Sequence, residues 1–150
     1  MGVSVLCVGK LRERFFAEAA AEYGKRLSRL MPVTVLEVPD EREPPGAGDA
    51  LCEQAMRKEG ERLLARLEPG AYAIALCVEG KQSDSPQLAR KLRELFIQGK
   101  SDIVFVIGGS LGLHENVLRR MDEKMSMSRL TFPHQLARVM LLEQLYRAAK

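Results

Sequence analysis

Two histidines and three cysteines are all that 150 residues offer a soft or borderline metal. They form no H-x-x-x-H pair and no C-x-x-C spacing, and a closed metal site usually needs more ligands than this at recognisable intervals, so no metal is expected. Cys7, Cys52 and Cys77 are an odd number. Two of them sit inside apolar, strand-like runs, where a thiol behaves as a small hydrophobe; this usage points to a reducing, cytoplasmic setting. Long apolar runs are missing too. The opening Met1–Val8 has no basic leader and is too short to span a bilayer, and a myristoylation signal after Gly2 would want Ser or Thr where Leu6 stands. No membrane partner is expected. Charge of one sign is scarce as well: 23 Lys and Arg against 20 Asp and Glu leave +3. That is too mild to prove a nucleic-acid partner, and compatible with one if the basic residues cluster.

Two familiar nucleotide motifs are absent. A G-x-G-x-x-G fingerprint would need glycines two and five residues beyond Gly108 or Gly109, and neither has them. A phosphate loop ending in Gly80-Lys81 would need glycine where Ala75 stands.

What is present is the material of one compact domain over residues 1–150, 46% hydrophobic and long enough to bury about two-thirds of its unfolded surface. Strand-like segments at 3–8, 33–38, 72–78, 102–107 and 124–129 alternate with helical periodicity at 11–30, from an N-cap at Asp49 to Pro69-Gly70, from Ser85-Pro86 to Gly99, at 114–120 and from Pro133 to about Ala149. Pro39 to Gly48, with Asp40, Glu41, Glu43 and three prolines, is a loop, and Glu79 to Asp84 is a polar turn. The order predicts an α/β fold, a mostly parallel sheet flanked by helices. Arg12, Arg14, Lys25, Arg26 and Arg29 give the first helix a cationic face, either plainly solvated or a footprint for an RNA backbone. The last helix carries Leu136, Val139, Met140, Leu141, Leu142, Leu145 and Tyr146, more apolar surface than one core-facing stripe requires, which implies a partner.

The centre of the chain is Asp102–Gly112. A β-branched run empties into Gly108, Gly109 and Gly112, whose lack of Cβ lets backbone amides and carbonyls approach a flat ligand. Ligands of open α/β sheets collect at such strand ends. With no metal and no phosphate grip, the class that fits is an adenosyl cofactor held by backbone groups and apolar walls, in a pocket without a crowd of Lys and Arg beside its sulfonium. Leu76, Gly108 and the segment Met127, Ser128, Arg129, Leu130, Thr131, Phe132 could form three adjacent walls; Met125, Met127 and Leu130 are otherwise simply core. His114 is most simply a helix-start residue. His134 follows Pro133 at a helix N-terminus, where the dipole lowers an imidazole pKa, in either a structural or a ligand-facing role.

At these residues the sequence resembles the bacterial large-subunit rRNA methyltransferase H family of the SPOUT superfamily, which N3-methylates a pseudouridine in 23S ribosomal RNA. The likeness spans nearly the whole chain: Val8-Gly9-Lys10-Leu11, Glu37-Val38-Pro39-Asp40-Glu41, Lys58-Glu59-Gly60, Phe105 to Ser110 with Gly112-Leu113-His114, Thr131-Phe132-Pro133-His134-Gln135, and Glu143 to Ala148. It implies a SPOUT-type fold with a C-terminal deep trefoil knot, S-adenosylmethionine as methyl donor, and a homodimer whose sites use both subunits. By similarity Leu76, Gly108 and Met127 through Phe132 bind the cofactor. The implied substrate is pseudouridine 1915 of 23S rRNA within the ribosome. Candidate catalytic residues are His134 as base or orienter, and Arg138 and Arg147 as cations toward an imide anion or a phosphate. Arg138 and Arg147 are nine apart, two and a half helical turns, so one of them is expected to serve the partner subunit. Family members continue past the position of Lys150 into a basic Tyr-His segment thought to close over the site. A ribosome-binding factor without chemistry and, more remotely, a Rossmann oxidoreductase are the competing readings.

Overall fold

The computed structural model describes residues 2–42, 46 and 48–150. Five strands, β1 (Gly2–Val8), β2 (Val33–Val38), β3 (Tyr72–Gln82), β4 (Asp102–Ile107) and β5 (Glu123–Ser126), alternate with α1 (Arg14–Leu27), α2 (Asp49–Ala65), α3 (Ser85–Ile97), α4 (Glu115–Arg120) and α5 (His134–Ala149). The strands form one sheet in the order β2-β1-β4-β3-β5, and every neighbouring pair is parallel. The expected α/β architecture is what the chain adopts.

Period-two alternation divides the sheet between two cores. From β1 and β4, Val3, Val5, Cys7, Ile103, Phe105 and Ile107 point to one face, where α1, α3 and α5 supply Leu27, Leu88, Leu92, Leu95, Leu141, Leu142 and Leu145. Leu6, Val8, Val104 and Val106 point to the other, against Leu63 of α2 and Val117 of α4. Burial on both faces explains the unbroken apolar runs of β1 and β4.

Several boundaries differ from expectation. The polar stretch 79–84 is not a turn: β3 runs on to Gln82 through a register shift, pairing Lys81 with Met125 and Gln82 with Ser126. Gly80 permits this, since a Cβ there would stand 2.6 Å from the Met125 backbone. The last strand ends at Ser126, so 127–129 is loop. Asp49 is the first residue of α2 rather than its N-cap; Gly48 takes that position without a side-chain bond. Asp84 caps α3 instead, in a reciprocal box with Gln87 that places Pro86 in the first turn. Helix α1 is shorter than the periodic stretch 11–30, and Phe15 in its first turn is 62% exposed. The loop expected at 39–48 falls partly on Glu43, Pro44, Pro45 and Ala47, which lie outside the described residues.

The topology fixes where a ligand can sit. Strand β3 leads into α3 on one face, while its neighbour β4 leads into α4 on the other. Their carboxyl ends therefore part, opening a crevice at a topological switch point. The chain leaving edge strand β5 must cross those same ends to reach α5, which packs with α1 and α3.

Candidate active site

A cavity of about 810 Å³ fills that crevice. Three separated segments wall it: Leu76 to Glu79 from β3, Ile107 to Leu113 after β4, and Ser126 to His134 after β5, with Met56, Leu118 and Ala137 completing the lining. Leu76, Gly108, Met127, Ser128, Leu130, Thr131, Phe132 and His134 thus converge as expected, whereas Arg129 is exposed and outside the lining. The wall residues Cys77, Val78 and Glu79 were not anticipated. Their signal lay in Gly80, the one residue able to let β3 continue beneath Met125.

The glycine loop is a tight turn. Gly112 adopts φ +90° and donates its N–H to the Gly109 carbonyl at 3.0 Å. Gly108 lies so close beneath it that a Cβ would stand 2.6 Å from the Gly112 carbonyl carbon and 2.7 Å from its oxygen. No side chain fits there, and this is why the strand ends in glycine. The opposite wall is ordered by its own serines. Ser126 Oγ donates to the Ser128 carbonyl at 2.8 Å, and Ser128 Oγ accepts the Leu130 N–H at 3.0 Å. Leu130, 71% exposed, is therefore held at the mouth and is not core.

Among the described residues no Lys or Arg lines the cavity, and its one carboxylate is Glu79. Apolar walls, backbone groups and an acid suit a flat, cationic ligand such as an adenosyl sulfonium, and would suit a polyphosphate badly. The residues present therefore fit S-adenosylmethionine. Cys77, at the edge of this space, has its thiol pKa pushed up, first by burial and then by Glu79, so it is not a poised nucleophile. No group of three or more His, Cys, Asp or Glu among the described residues is placed to hold a metal ion.

The two histidines divide. His114 is the N-cap of α4: Nδ1 accepts the Asn116 N–H at 3.1 Å, and Nε2 stands 2.6 Å from Glu53, so the ring clasps α4 to α2. His134, the first residue of α5, faces the cavity half-buried. Burial, and then the Arg138 charge, hold its imidazole below the ordinary value against an opposing pull from Asp40. It is a neutral ring at physiological pH, able to accept a proton.

The two candidate arginines do not line the cavity. Arg138 is 3% exposed, and its guanidinium reaches Glu37 at 2.5 Å and the Gly9 carbonyl at 2.9 Å. Arg147 is exposed at the far end of α5 and pairs with Glu143 at 3.1 Å.

Comparison with known proteins agrees with this geometry. The family model described as "Predicted SPOUT methyltransferase" matches residues 1–150. A relative from Bifidobacterium animalis subsp. lactis (strain AD011), named ribosomal RNA large subunit methyltransferase H, is 51% identical over 150 residues, covering 100% of this chain and 94% of its own. A crystal structure of a probable methyltransferase from Bordetella pertussis Tohama I superposes with a TM-score of 0.58 at 14% identity, over 99% of this chain and 96% of that one, a likeness of fold. The chain belongs to the SPOUT methyltransferase family.

Proposed function

We propose that the chain is an S-adenosylmethionine-dependent methyltransferase that modifies N3 of pseudouridine 1915 in 23S rRNA, acting in the cytoplasm on the assembled ribosome. The observation that carries the reading is the convergence of three separated segments on one cavity that no Lys or Arg among the described residues lines, in a chain half identical to a relative named for methylating large-subunit ribosomal RNA. In this reading residues 1–150 are a single domain. The crossing from β5 past the ends of β3 and β4 is where a C-terminal trefoil knot would be drawn, and two copies pair as a homodimer. Half-buried Leu136, Val139 and Met140 on α5 support the pairing, because a second copy would cover them. Among the described residues no helix is long and apolar enough to cross a membrane.

When bound, S-adenosylmethionine supplies an electrophilic methyl group on a sulfonium sulfur. Leu76, Gly108, Met127, Ser128, Leu130, Thr131 and Phe132 would hold it, with Arg129 at the rim. Their task is positioning, which supplies roughly 7–11 kcal/mol when two reactants are held at near-attack distance. His134 accepts the imide proton at a ring nitrogen or orients the base, a contribution of about 10²–10⁴-fold. Arg138 acts by holding the first turn of α5, and with it His134, against the end of β1. Arg147 lies thirteen residues beyond His134, about 20 Å along the helix, and so serves the partner subunit's site.

Labelled cofactor offered with intact ribosomes, free large subunits and naked 23S rRNA tests this directly. Incorporation at one pseudouridine, greatest on ribosomes, is the expected result. No transfer to any of the three by a protein that binds the cofactor would mean a ribosome-binding factor without chemistry.

A further inference from the structure

One buried acid belongs neither to an ion pair nor to the cavity wall. Glu59 of α2 is 5% exposed, and no salt bridge reaches it among the described residues. Its Oε2 accepts the backbone N–H of Glu41 at 2.9 Å, while Oε1 is buried without a hydrogen-bond partner among the described residues. A half-satisfied buried carboxylate is costly, and a neutral side chain of the same shape would fit more cheaply.

Its position suggests what it is kept for. The carboxylate lies against Gly109: a Cβ built there would stand 3.2 Å from Oε1 and 3.4 Å from Oε2. Gly109 itself lines the cavity, so a glycine backbone is what stands between this carboxylate and the ligand space. Glu79, in the wall, is exposed and screened by water. Glu59 is not. The charged groups around it are Arg62, Asp40 and Glu41, and Arg62 is already engaged by Glu41 at 2.6 Å and by the Pro39 carbonyl at 2.9 Å.

We propose that Glu59 determines the cavity's preference for a cationic ligand, its charge acting through the Gly109 backbone to favour the sulfonium cofactor over the neutral thioether product. The proposal rests on the methyltransferase reading above. It makes binding and release asymmetric: the charged donor is held and the uncharged product is let go.

The acid opposes folding while doing so. Burial outweighs the Glu41 N–H and pushes the Glu59 carboxyl above its ordinary value. A folded-state pKa above the unfolded one means that stability falls as pH rises through the interval between them, and the loss stays constant above it. Neutralising it should therefore leave the fold as stable or more so at neutral pH, whereas a carboxylate serving only the fold would lose stability.

Titration calorimetry of the whole chain with S-adenosylmethionine and S-adenosylhomocysteine, on the native protein and Glu59→Gln, decides the matter. The expected result is S-adenosylmethionine affinity weakened roughly tenfold, the size of one buried charge acting through an effective dielectric of about 20. S-adenosylhomocysteine stays within about twofold, and the melting temperature at pH 7.5 is unchanged or higher. An unchanged ratio of the two affinities, whether both fall together or neither moves, overturns the proposal and leaves the methyltransferase reading standing. Native protein that binds neither ligand overturns both. Should Glu59→Gln not fold, the ratio in His134→Asn, which removes the titrating histidine of the cavity, is measured between pH 8 and 5. Glu79→Gln is added to that variant so that no carboxylate of the lining titrates; a fall with acid then supports the role of Glu59, and a flat ratio refutes it.

Discussion

Arg138 in the last helix and Glu37 in the second strand, 101 residues apart in sequence, meet at 2.5 Å, and the same guanidinium donates to the Gly9 carbonyl at 2.9 Å. The pair ties α5 to the ends of β1 and β2, with the arginine 3% exposed. Truncating it leaves a carbonyl and a carboxylate facing a void. Arg138→Ala is expected to cost about 3 kcal/mol, the lower end for breaking a buried pair because Glu37 is partly solvated. Urea denaturation measures this, and a loss below about 1 kcal/mol would show the contact to be incidental. Turnover on ribosomes should fall with it, as His134 loses its support.

Gly108→Ala places a methyl group 2.6 Å from the Gly112 backbone, which cannot yield without opening the turn. Cofactor affinity is expected to fall by roughly tenfold or more, since the turn forms one wall of the cavity. Calorimetry reads this, while an unchanged Kd would mean that the cavity wall tolerates an open turn.

Gly60→Ala tests the seam between α2 and α4 away from the cavity. The new Cβ would stand 2.7 Å from Asn116 Oδ1 and 3.0 Å from Val117 Cγ2. Overpacking of this kind costs about 1–3 kcal/mol, and the melting temperature should drop while cofactor affinity at low temperature holds.

The imidazole of His134 is held low in the folded chain, first by burial and then by Arg138. Below a pH of about 6.5 the unfolded chain therefore binds the proton more readily, so stability falls as pH drops through that value toward the folded pKa, and is flat in this group above it. The acid limb of turnover should stand below the same value, because the ring stays neutral there. His134→Asn should flatten both the stability slope and the acid limb; an acid limb that survives the substitution assigns it to another group.

The strand and helix order was legible where the apolar period was long and clean: β1 and β4 are buried on both faces and say so in their composition. The walls of the cavity were legible for a different reason. Gly108 stands where a buried strand empties into glycine, which locally marks a close backbone approach, whereas the segment from Met127 to Phe132 was marked by the family resemblance, since by residue type Met127 and Leu130 read equally well as core. What was not legible was the extension of β3 to Gln82, since polar residues and a glycine at 79–82 signal a turn locally, and it takes the backbone of Met125 on the adjacent strand to draw them into the sheet.

By itself, then, the sequence determined the class of fold and the switch from strand to glycine loop, because those depend on local period and on residues with unusual backbone freedom, and its ordered motifs carried the resemblance to the family. Only the tertiary structure decided which charges matter. Arg138 has the composition of a solvent-facing cation and is buried; Glu59 has that of a solvated helix face and lies beneath Gly109. Burial is a property of what packs on top of a residue, and what packs on Arg138 and Glu59 comes from parts of the chain far from either.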